Sequence, residues 1–423
     1  MNNDSMLAIT KDLGTLFDSL IQQKYGHLRA PEPLVTPTGI YHLDTLLGGG
    51  IVSSGPVLFN STPETGKSTF AFQFSKQFLS LYPNGIVIYI DIEGSGNIKS
   101  NDFRISRIDR FNLDDPRFRY EQVVVDIPTV YDMIEFIVDV KKETEKQKGF
   151  EINVLVIWDS IADTRCSKAL VAENPNNIIG LKSRELSFML EKLDPLLKFE
   201  KITFIGIDQV RANINMEGPF AAKEQSTGLF KNRDIKSATG TMKLHHKTQQ
   251  WIFMSKGKTI PASDGLGIDG WFIDMFLEKS KVSPSKHSVT CVFDKNYGID
   301  KFWSEFYFLM DMTISEKKMY KNKSPRFPLM IKKSGTQYVL NLKNSEDPNI
   351  QYKSNPFYRK NAKNLYNTDQ EFKQWFDYAV QLSAYYRIVR DMFSADSIST
   401  TEENENTEID NADTYQSAFE VEE

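Results

Sequence analysis

The chain has 423 residues, 25% of them charged and 40% hydrophobic, with a net charge of −5. That is the makeup of a globular protein with room for one large domain or two to three smaller ones. It argues against a membrane-spanning helix, because no apolar run approaches the ~20 residues one needs. The start, Met1-Asn-Asn-Asp-Ser, carries neither the basic residues nor the apolar stretch of a secretory leader. Cys166 and Cys291 stand alone, without metal or disulfide spacing, which points to a reducing cytoplasm. The charge is uneven. From Asp396 to the end there are ten Asp or Glu and no Lys or Arg, and removing those ten turns −5 into +5 on residues 1–395. An acidic tail on a basic body suits a nucleic-acid binder, and equally a solubilising disordered terminus.

Leu7, Ile9, Leu13, Leu16, Phe17, Leu20 and Ile21 recur at helical spacing and predict an amphipathic helix ending before Tyr25-Gly26. A proline-rich linker, Ala30 to Pro37, separates it from the remainder of the chain, so it can pack on its own domain or on a neighbour. Gly55-Pro-Val-Leu-Phe59 reads as a strand and Phe70 to Leu79 as a helix. Between them lies Asn60-Ser-Thr-Pro-Glu-Thr-Gly-Lys-Ser-Thr69. Strand, tight loop and Gly-Lys-Ser at a helix start form the arrangement that holds a nucleoside triphosphate. Ser61, Thr62, Pro63, Glu64, Thr65, Gly66, Lys67, Ser68 and Thr69 would then cradle phosphates on backbone N–H groups and the helix dipole. Lys67 would reach the β- and γ-phosphates and Ser68 would ligate Mg²⁺. A chance Gly-Lys-Ser in a turn competes with this reading, because Ser61 stands where the pattern has its first glycine.

Gly85 to Asp91, Val154 to Asp159 and Lys201 to Gln209 are continuous in β-formers, as parallel strands buried on both faces are. Val123-Val-Val125 predicts another strand. Thr129 to Val140 predicts a helix, with a solvated charged run, Lys141 to Lys148, after it. Alternating strands and helices give an α/β fold with a mainly parallel central sheet, whose sites cluster at the carboxyl ends of the strands. Glu93, Asp159 and Gln209 fall at such ends, and an acid at Asp159 suits Mg²⁺. From Ala212 to Lys236 the pattern collapses: Lys223, Lys231, Arg233 and Lys236 interleave with Met216, Phe220 and Phe230. Such a segment can hold a phosphodiester backbone and stack on bases, or serve as an active-site lid. Trp251 to Met254, Trp271 to Glu278 and Val289 to Phe293 read as further strands. Lys279 and Lys281, at strand spacing, would share a face, unless they only guard a sheet edge. Thr368-Asp-Gln-Glu371 is a capping box before a helix with Phe372, Trp375, Phe376, Ala379 and Val380 on one face.

In order, these segments resemble the RecA recombinases, most closely their phage UvsX-type branch, from about Val35 to Ile299 and more weakly from Phe372 to Leu382. Thr38-Gly, Leu43-Asp44 and Leu47-Gly-Gly-Gly-Ile51 resemble the approach to that family's ATPase core. The resemblance implies a RecA-like phosphate-loop core over 35–317, behind an N-terminal polymerisation helix and linker over 1–34. It also implies a small C-terminal α/β domain over 318–395 and an acidic disordered tail over 396–423. It makes Glu93 the residue that activates the attacking water and Gln209 the sensor of the γ-phosphate. It also makes the segment near Ala212–Ala238 the long DNA-binding loop, joined by Arg211. Gly180-Leu-Lys-Ser-Arg184 resembles the end of the shorter DNA loop, whose arginine meets the backbone, although Glu191 stands where a second basic contact would fit. Lys279 and Lys281 resemble the lysine pair that reaches across a filament interface to the next subunit's ATP. The implied protein is a DNA-dependent ATPase that polymerises on single-stranded DNA and exchanges strands with a duplex. It would work with single-strand-binding and mediator proteins in a bacterial host's cytoplasm. A RecA-fold helicase motor and a catalytically weak RecA-like mediator are the other readings the residues allow; Ser61 is the best support for the latter.

Overall fold

The computed structural model describes residues 3–26, 30–94, 96, 106–170, 181–209, 246–260, 266–310, 330–343, 350–385 and 388. A nine-stranded sheet organises them. In chain order its strands are β3 (Pro56–Ser61), β4 (Gly85–Asp91), β5 (Phe118–Gln122), β6 (Asn153–Asp159), β7 (Thr203–Gln209), β8 (Gln250–Ile260), β9 (Gly270–Ser280), β10 (His287–Asp294) and β11 (Gly298–Ile299). The short strands β1 (Val35–Thr36) and β2 (Ile51–Val52) pair with each other beside it. Across the sheet the order is β11-β10-β9-β8-β3-β7-β6-β4-β5. The run from β8 to β5 is parallel, and β9 to β11 add an antiparallel wing. The fold is therefore mixed α/β with a large, mostly parallel sheet.

Both faces of the parallel strands are buried, as their unbroken apolar runs require. One face holds Val57, Phe59, Tyr89, Ile157 and Ile207 against α3 (Lys67–Leu81), whose Phe70, Phe74 and Phe78 fill the space between. The other holds Leu58, Val156, Trp158 and Phe204 against α5 (Ile127–Lys148) and α7 (Leu181–Phe199). Each such side chain removed from water contributes roughly 1.5–3 kcal/mol. The ends of α5 obey local rules: Asp126 accepts from the Thr129 N–H at 3.0 Å, Pro128 sits in the first turn, and Gly149 closes the helix at φ 74°.

A third core joins α8 (Lys301–Met310), through Phe302, Trp303, Phe306 and Leu309, to a three-stranded antiparallel sheet and to α10 (Gln370–Ala384). That sheet comprises β12 (Ile331–Ser334), β13 (Gln337–Lys343) and β14 (Gln351–Lys353). The helix α1 (Asn3–Tyr25) forms as its spacing predicts, and Leu16, Phe17 and Leu20 on it are more than half exposed.

Four local expectations shift. The strand predicted at Val123–Val125 lies just upstream, at Phe118–Gln122, where Arg119 and Glu121 disguise it; Val123 and Val125 pack beside the second core outside any strand. The charged run Lys141–Lys148 continues α5, with Lys141 buried and donating to Glu145 at 2.7 Å. The cap of α10 is Asp369, accepting from the Phe372 N–H at 2.9 Å, whereas Thr368 ends the preceding helix, α9 (Ala362–Thr368). Finally, β9 stops at Ser280, so Lys281 lies beyond the strand.

Candidate active site

Adjacent parallel strands bring the nominated residues together at their carboxyl ends. Ser61 pairs in register with Gln209, and Asp91 with Asp159. Side chains alternate along a strand. Ser61 therefore shares the α3 face with Phe59, Gln209 with Ile207, Asp159 with Ile157 and Asp91 with Tyr89. Four strand ends thus point polar groups at the start of α3, where the chain turns through the phosphate loop.

Ser61 ends β3 as an ordinary buried strand residue, so a Cβ costs nothing there. The left-handed positions of the loop are Glu64, at φ 59°, and Gly66, at φ 110°. The turn is closed by side chains: Thr65 Oγ1 donates to the Thr62 carbonyl at 2.8 Å, and Ser61 Oγ donates to the same carbonyl at 2.7 Å. Gly66 caps α3, and Phe293 of β10 packs directly on it. A Cβ built at Gly66 would lie 2.2 Å from Phe293 Cζ. Phe293 in turn stacks on Trp271 with ring centroids 5.1 Å apart, and Lys256 Nζ lies 4.0 Å from the centre of the Trp271 ring. Sequence reasoning found the strand that carries Phe293 but had no signal linking it to Gly66.

Lys67 is buried and folds back into the loop. Its Nζ donates to Ser61 Oγ at 2.6 Å, to the Thr62 carbonyl at 3.2 Å and to the Ser61 carbonyl at 3.3 Å. Burial draws its pKa below the ordinary lysine value, opposed by the charges of Asp159, Glu93 and Asp208. An ammonium held by three loop oxygens is one that a phosphate oxygen can recapture.

Asp159 is fully buried. Tyr89 donates its hydroxyl to Oδ2 at 2.6 Å. Oδ1 has no partner among the described residues. Burial pushes the carboxyl up to about 6; the hydroxyls of Tyr89 and the nearby Ser68 oppose this, while Asp91 and Glu93 reinforce it. Asp91 shapes the next turn: it accepts from Gly94 N–H at 2.6 Å, Gly96 N–H at 2.9 Å and the Tyr120 hydroxyl. That turn carries Glu93, which stays exposed at the rim within electrostatic reach of Lys67 and Asp159. Among the described residues no group of three or more His, Cys, Asp or Glu is arranged to hold a metal. The open oxygen of Asp159 beside Ser68 nevertheless fits Mg²⁺, which takes one or two protein ligands and completes its shell with water and phosphate oxygens.

Lys279 and Lys281 are not at this end. Trp251 pairs with Lys279 on one side and with Leu58 on the other, and Lys281 N–H donates to the Gln249 carbonyl beside the start of β3. A bulge between Trp251 and Ile252 turns Lys279 onto the α7 face, opposite Lys67. There Lys279 Nζ donates to the His246 carbonyl at 3.1 Å. Lys198 and Lys247 reach one carboxylate, Asp194, at 2.8 and 3.3 Å. Partial burial and then the neighbouring Lys281 hold Lys279 below the ordinary lysine value. Partial burial, Lys198 and Lys247 do the same to Lys281, against the pull of Asp194. Lys198 sits one turn after Asp194 on α7, a spacing the sequence shows, whereas Lys247 and Lys281 are far from it in sequence and no spacing foretells their arrival.

Arg184 is exposed in the first turn of α7, and the adjacent Lys182 ties that turn to the Ala162 carbonyl, just past Asp159, at 2.6 Å. Arg211, Met216, Phe220, Lys223, Phe230, Lys231, Arg233 and Lys236 lie outside the described residues. No family model matches the sequence, and no curated protein matches it. No helix among the described residues is long and apolar enough to cross a membrane.

Proposed function

We propose that this protein is an ATP-dependent DNA strand-exchange recombinase of the RecA type that assembles head to tail on single-stranded DNA, with ATP between successive subunits. The observation that carries this reading is the opposition of the two sheet ends. One gathers Asp159, Glu93 and Asp208 around the buried Lys67; the other gathers Lys198, Lys247 and Lys281 around the buried Asp194, with Lys279 beside Lys281. Within one chain these groups cannot meet. In a head-to-tail stack the basic end of one copy faces the phosphate loop of the next, which is a heterologous, non-closing contact. The exposed Leu16, Phe17 and Leu20 on α1 are suited to bind that next copy.

In this reading the phosphate loop and Lys67 bind the triphosphate of ATP, and Ser68 and Asp159 hold Mg²⁺. Mg²⁺ supplies charge neutralisation on the phosphates when bound. Glu93, at the solvent rim, orients the attacking water and accepts its proton. Lys279 and Lys281 of the adjacent copy neutralise charge that grows on the phosphates during transfer. Gln209, paired with Ser61 at the end of β7, bears on both the loop and the segment that begins at residue 210. It couples the γ-phosphate to DNA contacts made by Arg184 and that segment. Homology is tested by base pairing, so affinity for DNA is salt-dependent and nearly sequence-independent.

The test is ATP hydrolysis with and without single-stranded DNA, for the wild type and Lys67→Ala. Wild-type turnover rises on DNA, and Lys67→Ala is inactive in both conditions. A wild type that DNA does not stimulate overturns the recombinase reading.

A further inference from the structure

β4 carries a buried tyrosine whose hydroxyl packing alone does not need. Tyr89 stacks on Phe72, with centroids 4.4 Å apart and planes 15° from parallel, and leans on Phe118 at 6.4 Å. A phenylalanine would fill this apolar cluster without bringing a polar group into it, and burying a hydroxyl is unfavourable unless it finds a partner. The partner is Asp159. Tyr89 pairs with Ile157 across the β4–β6 ladder, so Asp159 is its diagonal neighbour on the same face, within reach of a long aromatic side chain. The hydroxyl donates to Oδ2 at 2.6 Å, and Oδ1 is left without a partner among the described residues.

We propose that Tyr89 is a positioning residue for Asp159: by claiming one carboxylate oxygen it fixes the rotamer and presents the other to Ser68 and the phosphate loop, where Mg²⁺ is held. This rests on the reading of the site as an Mg²⁺-nucleotide site. A phenol is an O–H donor at neutral pH, so the hydroxyl acts as a standing donor to Asp159. The aspartate two residues on, Asp91, is committed differently. Two backbone N–H groups and the Tyr120 hydroxyl saturate it, and it shapes the turn that carries Glu93. Two tyrosines thus serve two carboxylates, one kept half open and one closed.

The test separates metal from nucleotide. Binding of a fluorescent ATP analogue is titrated with Mg²⁺, and in EDTA, for the wild type, Tyr89→Phe, Tyr120→Phe and Asp159→Asn, with each melting temperature recorded. Tyr89→Phe keeps the rings and the metal-free affinity but needs roughly 10–100-fold more Mg²⁺ for half-maximal tightening, the usual loss when a partner of a metal-holding group is removed. Tyr120→Phe leaves the Mg²⁺ midpoint where it is, and Asp159→Asn loses the Mg²⁺ response. If Tyr89→Phe lowers the melting temperature while its Mg²⁺ midpoint stays within twofold of the wild type, the hydroxyl only supports packing and the proposal is wrong. If Asp159→Asn keeps the full Mg²⁺ response, the metal assignment falls and takes Tyr89 with it. If the wild type binds no nucleotide at any Mg²⁺ concentration, the site reading itself fails.

Discussion

The two ends of the central sheet are near inverses. At the carboxyl end of the parallel strands, acids surround one buried lysine; at the amino end, lysines surround one buried aspartate. Each end carries charge that burial disfavours and like neighbours disfavour further. Burial lowers Lys279 and Lys281, helped by Lys281 on the first and by Lys198 and Lys247 on the second, and burial raises Asp159, helped by Asp91 and Glu93. Neither imbalance is relieved within the chain, because the sheet separates the two groups. Such a pair of surfaces suits the open, head-to-tail assembly proposed above, in which a nucleotide at the junction would add the phosphate charge that the lysine end lacks.

The strongest way to break this comparison is to damage the two ends in separate chains. Lys67→Ala and the double variant Lys279→Ala/Lys281→Ala should each lose hydrolysis, the latter by ~10³–10⁵ if the pair acts as other trans cations do. The double variant should still bind nucleotide, since its phosphate loop is intact. Mixed one to one, the two inactive proteins should recover activity, because about a quarter of random head-to-tail junctions join two undamaged halves. A mixture as inactive as its components would show that the two ends never meet.

A smaller effect tests what anchors the acid end. Gly66→Ala places a Cβ 2.2 Å from Phe293 at a backbone angle, φ 110°, that side chains rarely adopt. Left-handed strain and overpacking together should cost about 2–4 kcal/mol, seen as a lower denaturation midpoint and weaker nucleotide binding. Adding Phe293→Leu should return the packing part of the loss but not the backbone part. Full additivity of the two substitutions would mean that Phe293 does not confine the loop.

These two ends also mark how far the sequence can be read. The phosphate loop, the three apolar strands and the acids that end them are legible because each is a local pattern: period, turn chemistry and a charge at a strand end. Ser61 is misjudged by the pattern alone. Its missing glycine matters only if the backbone there has to be left-handed, and the register with Gln209 makes it plain strand. Phe293 on Gly66, Tyr89 on Asp159 and the approach of Lys247 and Lys281 to Asp194 depend on pairing between distant segments. One bulge, between Trp251 and Ile252, decides which face Lys279 takes. The spacing of Lys279 and Lys281 suggests a shared strand face, but the strand stops between them.

The mildest prediction contrasts how the ends respond to pH. Asp159 titrates near 6 in the folded chain against an ordinary 3.8, so the native state binds its proton more tightly than the unfolded state does. The stability linked to that proton is fully present below pH ~4 and is lost as pH rises through about 6. At neutral pH the ionised carboxylate is therefore a burden, on the order of 3 kcal/mol at most. The lysines run the other way: their lowered values mean the penalty persists at neutral pH and lifts only as the solution becomes alkaline. Between pH 4 and 8, only the acid end should move. Asp159→Asn should accordingly melt above the wild type at pH 7.5 and converge with it near pH 4, while losing Mg²⁺-dependent hydrolysis throughout. Stability gained where activity is lost is what a carboxylate held buried for a metal predicts. If the variant melts below the wild type at pH 7.5, the buried charge is compensated within the chain, and the acid end is not waiting for anything.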